Sequence, residues 1–253
     1  TAHIPVTAHG LKENGYATIA TTNWLPYSWS VNNIAFAEVM HTALSYFQAG
    51  RAEAGYKLLK SSVLDGMYLG DSPGNFGQIS FYDAARGECY RDFGDPIGVA
   101  SRVLIQGLFG ILPDALNQQI ILRPGFPDDW DKASVSTPDI SYRFTRKEDT
   151  DTYHITQRFQ TPLHPVLQIN ARKEKIRSVK VNGVPATWQS IESAHGYPLL
   201  SIQAEGTSST TITIEWEGAS LHTLAVQELV IASNGKLALQ IPSGASISQV
   251  YDP

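Results

Sequence analysis

"DPIGVASRVLIQGLFGILPDALNQQIILRPGFPDDW", residues 95–130, holds the point at which the chain changes its period. Asp95-Pro96 puts an acid at a capping position and a proline at the first helical position, so a helix is expected to begin here. From Pro96 to Phe109 the residues are apolar almost all round, which suits a helix buried in a larger helical assembly, and Gly110 can end it. Leu112-Pro113-Asp114 marks a boundary, and from about Gln119 the pattern alternates with a period of two. The stretch therefore divides the chain into a helical part, residues 1–116, and a β part, residues 117–253.

Upstream, Phe36, Val39, Met40, Ala43, Leu44 and Phe47 recur at spacings of three and four. They predict an amphipathic helix of roughly 16 residues, with Ser30 or Asn32 as its cap and Gly50 as its stop. Ala52, Tyr56, Leu59, Val63 and Met67 form a second stripe directly after it, so the two helices are expected to form an antiparallel hairpin. Between this hairpin and the helix at Pro96 runs a long insertion, Leu69 to Gly94, of the kind that is usually functional in a compact domain. Downstream, "QIILR", "ISYRFTRK", "TYHITQRF", "VLQINARK", "IRSVKVNG", "LLSIQA", "TTITIEWEG" and "LALQIP" are β-branched and aromatic runs separated by Pro-Gly, Asn-Gly and Glu-Gly turns. They predict an antiparallel β-sandwich, reached through a proline-rich surface crossing at "RPGFPDDWDKASVSTPD".

Composition bounds the function. The 253 residues are 42% hydrophobic and 17% charged, enough for one large or two ordinary domains with real cores. A net charge of −5 without a long Lys/Arg run argues against nucleic acid or an anionic membrane surface as the main partner. Cys89 is alone, so an internal disulfide and a cysteine-based zinc site are excluded. The seven histidines show no ligand spacing, and neither a metal nor another cofactor is expected. No stretch approaches the roughly 20 apolar residues of a membrane helix. "GDSPG" at 70–74 follows no strand and has no lysine, so it is not a nucleotide loop. The N-terminus lacks the basic and apolar runs of a signal peptide and also lacks a starting methionine, which fits a processed or excised piece.

The segment from Asn23 to Tyr68, then an aromatic and acidic loop, then "DPIGVASRVLIQGLFGILPD" and Ile121 to Trp130, resembles the last hairpins of (α/α)6-barrel glycoside hydrolases of the α-rhamnosidase and α-fucosidase type. In that six-hairpin clan a small and apolar final helix ends in a "GI.PD" turn, matched by Gly110 to Asp114, before an "I.L.P..P..W" run and a β-sandwich. The resemblance implies a two-domain α+β architecture: helical hairpins forming part of an (α/α)6 toroid, then an antiparallel β-sandwich, in a bacterial branch of the clan. Most of the barrel helices, and one carboxylate of the usual pair, would precede Thr1, supplied by an N-terminal part of the same protein or by a partner chain. It also implies an oligosaccharide or polysaccharide substrate and export to the periplasm or cell surface.

Glycosidic hydrolysis needs one carboxylic acid to protonate the leaving oxygen and a second carboxylate to attack or to activate water. "GQISFYDAARGECYRDFGDP", residues 77–96, gathers Asp83, Glu88, Asp92 and Asp95 among aromatic and arginine side chains. By the resemblance Asp83 is the first candidate base, although the family's residue there is glutamate, and Glu88 is the second. Each is otherwise a structural loop acid. Asp92 beside Arg91 is equally an ion-pair partner, and Asp95 is first of all a helix cap. Arg86 and Arg91 can bind a sugar carboxylate or simply neutralise the loop. Trp24, Tyr27 and Trp29 can form a sugar platform or staple the first helix, and Phe81, Tyr82 and Tyr90 divide between the same roles. Two other readings stay open: a polysaccharide lyase using Tyr90 with Arg86 and Arg91, and a non-catalytic carbohydrate-binding or structural unit.

Overall fold

The computed structural model describes residues 5–6, 18–19, 34–69, 81–83, 88–90, 94–191 and 198–221. Two short strands, β1 (Pro5–Val6) and β2 (Thr18–Ile19), pair antiparallel. A third, β3 (Ile34–Ala35), runs straight into helix α1 (Phe36–Gln48). The predicted stripe is the buried face of α1: Phe36, Val39, Met40, Ala43, Leu44 and Phe47 are all inside. The helix starts later than expected, at an Ala35 cap with no side-chain bond, because Ile34 and Ala35 are held extended by pairing with Tyr82 and Phe81. Gly50, at φ +73°, turns the chain as expected, and the Arg51 and Gly50 amides donate to Tyr46 O and Phe47 O.

Helix α2 (Ala52–Val63) returns antiparallel and continues as a π-helical stretch, Leu64–Leu69. After the hairpin β4 (Phe81–Asp83) and β5 (Glu88–Tyr90), helix α3 (Asp95–Arg102) continues as a second π-helical stretch, Val103–Leu108. Its span matches the expectation, but its burial is one-sided: Val103, Gly107 and Leu108 are buried, whereas Ile97 and Leu104 are 51% and 40% exposed. Among the described residues these helices make a hairpin and a third helix, and not a toroid.

Gly110 ends the helical part at φ +64°, and no other residue fits: a Cβ there would lie 1.8 Å from Arg123 O. Strand pairing begins at once, earlier than the period of the sequence suggests. Strand β6 (Ile111–Asp114) forms an antiparallel hairpin with β7 (Gln119–Leu122) around a 3-10 turn, which Asp114 caps by accepting from the Asn117 amide. The expected crossing contains a further strand, β8 (Lys132–Ser136), on the edge of a sheet. Strands β9 (Ile140–Lys147), β10 (Thr150–Gln157), β11 (His164–Asn170), β12 (Lys173–Val181), β13 (Val184–Pro185), β14 (Gln189–Ile191), β15 (Leu199–Gln203) and β16 (Ser209–Ser220) complete the β part. "LALQIP" lies outside the described residues.

The strands form a six-stranded sheet, β13-β12-β16-β10-β9-β8, and a five-stranded sheet, β14-β15-β11-β7-β6. Pairing is antiparallel except between β7 and β11, which run parallel, a departure from the expected all-antiparallel sandwich. Alternation sets the inner faces: Tyr142 and Phe144, Tyr153 and Ile155, and Ile212, Ile214 and Trp216 from one sheet meet Ile120, Leu122, Leu167 and Ile202 from the other. Asn182-Gly183 turns the β12–β13 hairpin with both residues at positive φ, as the Asn-Gly signal predicts.

Helices and sandwich share one core. Phe126 stacks on Phe144 at 5.2 Å and meets Phe109 edge-on at 5.5 Å, while Trp130 meets Tyr56 of α2 edge-on at 5.1 Å. Phe47 is enclosed by three glycines: a Cβ on Gly55, Gly107 or Gly125 would approach its ring to 3.0, 2.6 or 2.3 Å. Each glycine is therefore a close approach of backbone to ring, locking α1 onto α2, α3 and the crossing segment.

Candidate functional site

The acidic insertion is organised by backbone pairing. Strands β4 and β5 are antiparallel with Phe81 opposite Tyr90, Tyr82 opposite Cys89 and Asp83 opposite Glu88. Strand β3 adds to β4 with Ile34 opposite Tyr82 and Ala35 opposite Phe81, giving a three-stranded sheet. The two acids singled out for chemistry thus occupy one register position at the turn end of a hairpin. Its other edge is fixed by β3 to the start of α1, where Ile34 and Phe36 are fully buried with Val39.

Asp95 is exposed in the first turn of α3, where Gly94 holds the capping position without a side-chain bond. The expected cap role is thereby corrected. The helix starts one residue earlier than expected, so Asp95 lies in its first turn, at the positive end of the helix dipole. Trp24, Tyr27, Trp29, Arg86, Arg91 and Asp92 lie outside the described residues. Among the described residues no cluster of His, Cys, Asp or Glu could hold a metal ion, and no helix is long and apolar enough to cross a membrane.

A second polar centre was not anticipated. Asp151 is 2% exposed, on the inner face of β10. Its Oδ1 accepts from Arg146 Nε at 2.9 Å and its Oδ2 from Trp216 Nε1 at 2.9 Å, while Arg172 Nε stands 3.5 Å from Oδ2. Arg146 also donates through Nη1 to the carbonyls of Asp128 and Trp130, and its guanidinium lies over the Phe144 ring. Burial first, and then the Asp151 charge, push the Tyr153 phenol well above its ordinary value. Burial also raises Tyr142, whose hydroxyl has no hydrogen-bond partner among the described residues. One signal in the sequence pointed here: in "TDTYHI" the alternation that buries Tyr153 and Ile155 buries Asp151 as well.

This centre opens on a cavity of about 390 Å³ between the start of α2 and the sandwich. A neighbouring cavity of about 530 Å³ lies between the α1–α2 turn and the five-stranded sheet, and Ala52, Pro124 and Asn170 line both.

No family model matches the sequence, and no curated protein matches it. Solved structures similar to it include an α-L-rhamnosidase from Dictyoglumus thermophilum, at a TM-score of 0.44 and 11% identity over 72% of this chain and 21% of that one. A Streptomyces avermitilis α-L-rhamnosidase complexed with L-rhamnose gives 0.42 and 14% over 71% of this chain and 18% of that one. A GH127 β-L-arabinofuranosidase from Geobacillus stearothermophilus T6 gives 0.33 and 8% over 73% and 32%. The chain spans between about a fifth and a third of the length of these proteins.

Proposed function

We propose that the chain is the C-terminal portion of a glycoside hydrolase, with the β4–β5 hairpin at the rim of an (α/α)6 barrel completed by preceding helices or a partner chain. The observation that carries this reading is the cross-strand register of Asp83 and Glu88. Directly opposed residues of an antiparallel pair share a face, with Cβ atoms about 5 Å apart. Two ionised carboxylates so placed repel each other. Either acid can then serve as one member of the acid–base pair that glycosidic hydrolysis requires, at roughly 5 Å for retention or 6.5–9.5 Å for inversion from a second carboxylate supplied by the preceding part or a partner chain. Phe81 and Tyr90 occupy the next register position on the same face and are the proposed aromatic surface for a sugar, while Tyr82 falls on the other face of the hairpin. Trp24, Tyr27, Trp29, Arg86, Arg91, Asp92 and Asp95 are its proposed surroundings.

The test is turnover of an aryl glycoside panel, rhamnosides and fucosides included, by the full-length protein and by Asp83→Asn and Glu88→Gln. At least one variant should lose activity by two or more orders of magnitude with its fold intact. Normal rates in both variants would refute the assignment. Unsaturated products absorbing in the ultraviolet would replace it with a lyase.

A further inference from the structure

The Asp151 centre carries more cation than its own carboxylate uses. Arg146 and Trp216 already satisfy the two oxygens by hydrogen bonds. Arg172 lies beside them within ion-pair distance but makes no hydrogen bond to Asp151, and among the described residues its one hydrogen bond runs from Nη2 to Glu148 O. Its Nε is buried without a hydrogen-bond acceptor among the described residues. Neither Arg146 Nη2 nor Arg172 Nη1 has a partner among the described residues. Both guanidinium groups are about one-fifth exposed and line the 390 Å³ cavity, above Phe144, Tyr153 and Ile169. Fixed N–H donors over an apolar floor gain more from an anion than they would in water, and they need little ordering to bind it.

Charge defines the guest. Two guanidinium groups against Asp151 leave one positive charge in the cavity, and the one other acid of its lining, Asp128, is exposed at the rim. The adjoining cavity adds Arg51 and Arg123 and no acid. A protein of net charge −5 thus lines this cleft with an excess of cations. The cavity volume lies in the range of small-ligand sites, about 300–1,000 Å³.

We infer that the cleft between α2 and the sandwich binds a small ligand through a single monovalent oxyanion, a carboxylate or a sulfate ester, held between Arg146 and Arg172. The site does not depend on hydrolysis at the hairpin, because it is read by equilibrium binding and not by turnover.

Titration calorimetry of the full-length protein with glucuronate, glucose 6-sulfate and glucose tests it. At least one anion should bind and glucose should not, and which anion binds identifies the carboxylate or the sulfate as the natural group. Arg172→Gln should weaken that binding by about 10- to 100-fold, the loss of charge-assisted hydrogen bonds, and Arg172→Lys should restore part of it. Should Arg172→Gln fail to fold, raising sodium chloride with the wild-type protein serves instead, and affinity should fall with salt. Equal or absent binding of the anions and glucose, unchanged affinity in a folded Arg172→Gln, or salt-independent binding would each overturn the inference.

Discussion

Replacing Gly125 by alanine drives a methyl group into the Phe47 ring. The new Cβ would stand 2.3 Å from Cδ1, 2.9 Å from Cε1 and 3.1 Å from Gly107 O, whereas carbon atoms prefer about 3.5–4.0 Å. Gly107 on the Cδ2 side and Gly55 on the Cδ1 side restrict how the ring can withdraw, and it is 4% exposed. Overpacking of this kind costs about 1–3 kcal/mol, and the stiffer unfolded chain returns about 0.4–1 kcal/mol. The net loss is about 1–2 kcal/mol, a fall in Tm of about 2–8 °C for a chain of this size. Gly98→Ala is the matched control, since nothing lies within 4 Å of its added Cβ on the exposed side of α3. It should raise Tm by about 1–4 °C through helix propensity alone. Thermal unfolding followed by circular dichroism reads both. Phe47→Leu combined with Gly125→Ala should be less damaging than the sum of the two by about 1 kcal/mol. A Gly125→Ala variant as stable as wild type, or strictly additive single effects, would refute the picture of a ring clamped by backbone.

Two further expectations concern ionisable groups. Tyr142→Phe removes a buried hydroxyl with no hydrogen-bond partner among the described residues and should raise Tm at neutral pH by a few degrees. Because burial raises the Tyr142 phenol in the folded state, the stability it confers is complete below its ordinary value of 10.0 and is lost as pH rises through the folded value. The same substitution should therefore shift alkaline unfolding, followed by fluorescence, to higher pH, and an unchanged alkaline transition would count against it. The Lys180 ammonium, which donates to Glu215 Oε1 at 3.3 Å, holds the Glu215 carboxyl below its ordinary value. Such a group stabilises above its unfolded value of 4.5 and loses that contribution as pH falls through the lower folded value. Lys180→Gln should flatten the dependence of Tm on pH in this acidic window, and the difference should shrink in high salt.

Legibility in the sequence followed the length and regularity of each element. The stripe from Phe36 to Phe47 spans most of four turns, and it located the buried face of α1 residue by residue. Asn182-Gly183 and the alternation in β9, β10 and β16 were as plain. The three-stranded sheet was not, because strands of two or three residues carry no measurable period, and Ile34-Ala35 merges with the apolar run of the helix that follows. Pro113 within β6 reads as a boundary, yet proline is tolerated on the edge strand of a sheet. The candidate acids stand out in the acidic, aromatic loop and are ranked by the resemblance, but their opposition depends on a pairing register that neither contains. Asp151 was overlooked because an acid in a polar run reads as surface, and only the strand alternation reveals that it points inward.

The aromatic seam of Phe109, Phe126, Tyr142 and Phe144, extended by Trp130 against Tyr56, gives the sandwich a role beyond that of a trailing appendage. It acts as a keel. The seam shares one core with the buried face of α1, whose Phe47 packs on Gly125 of the crossing segment; α1 continues from β3, and β3 pairs with the hairpin that carries Asp83 and Glu88. The position of that hairpin is therefore inherited, through one helix, from the β part of the chain.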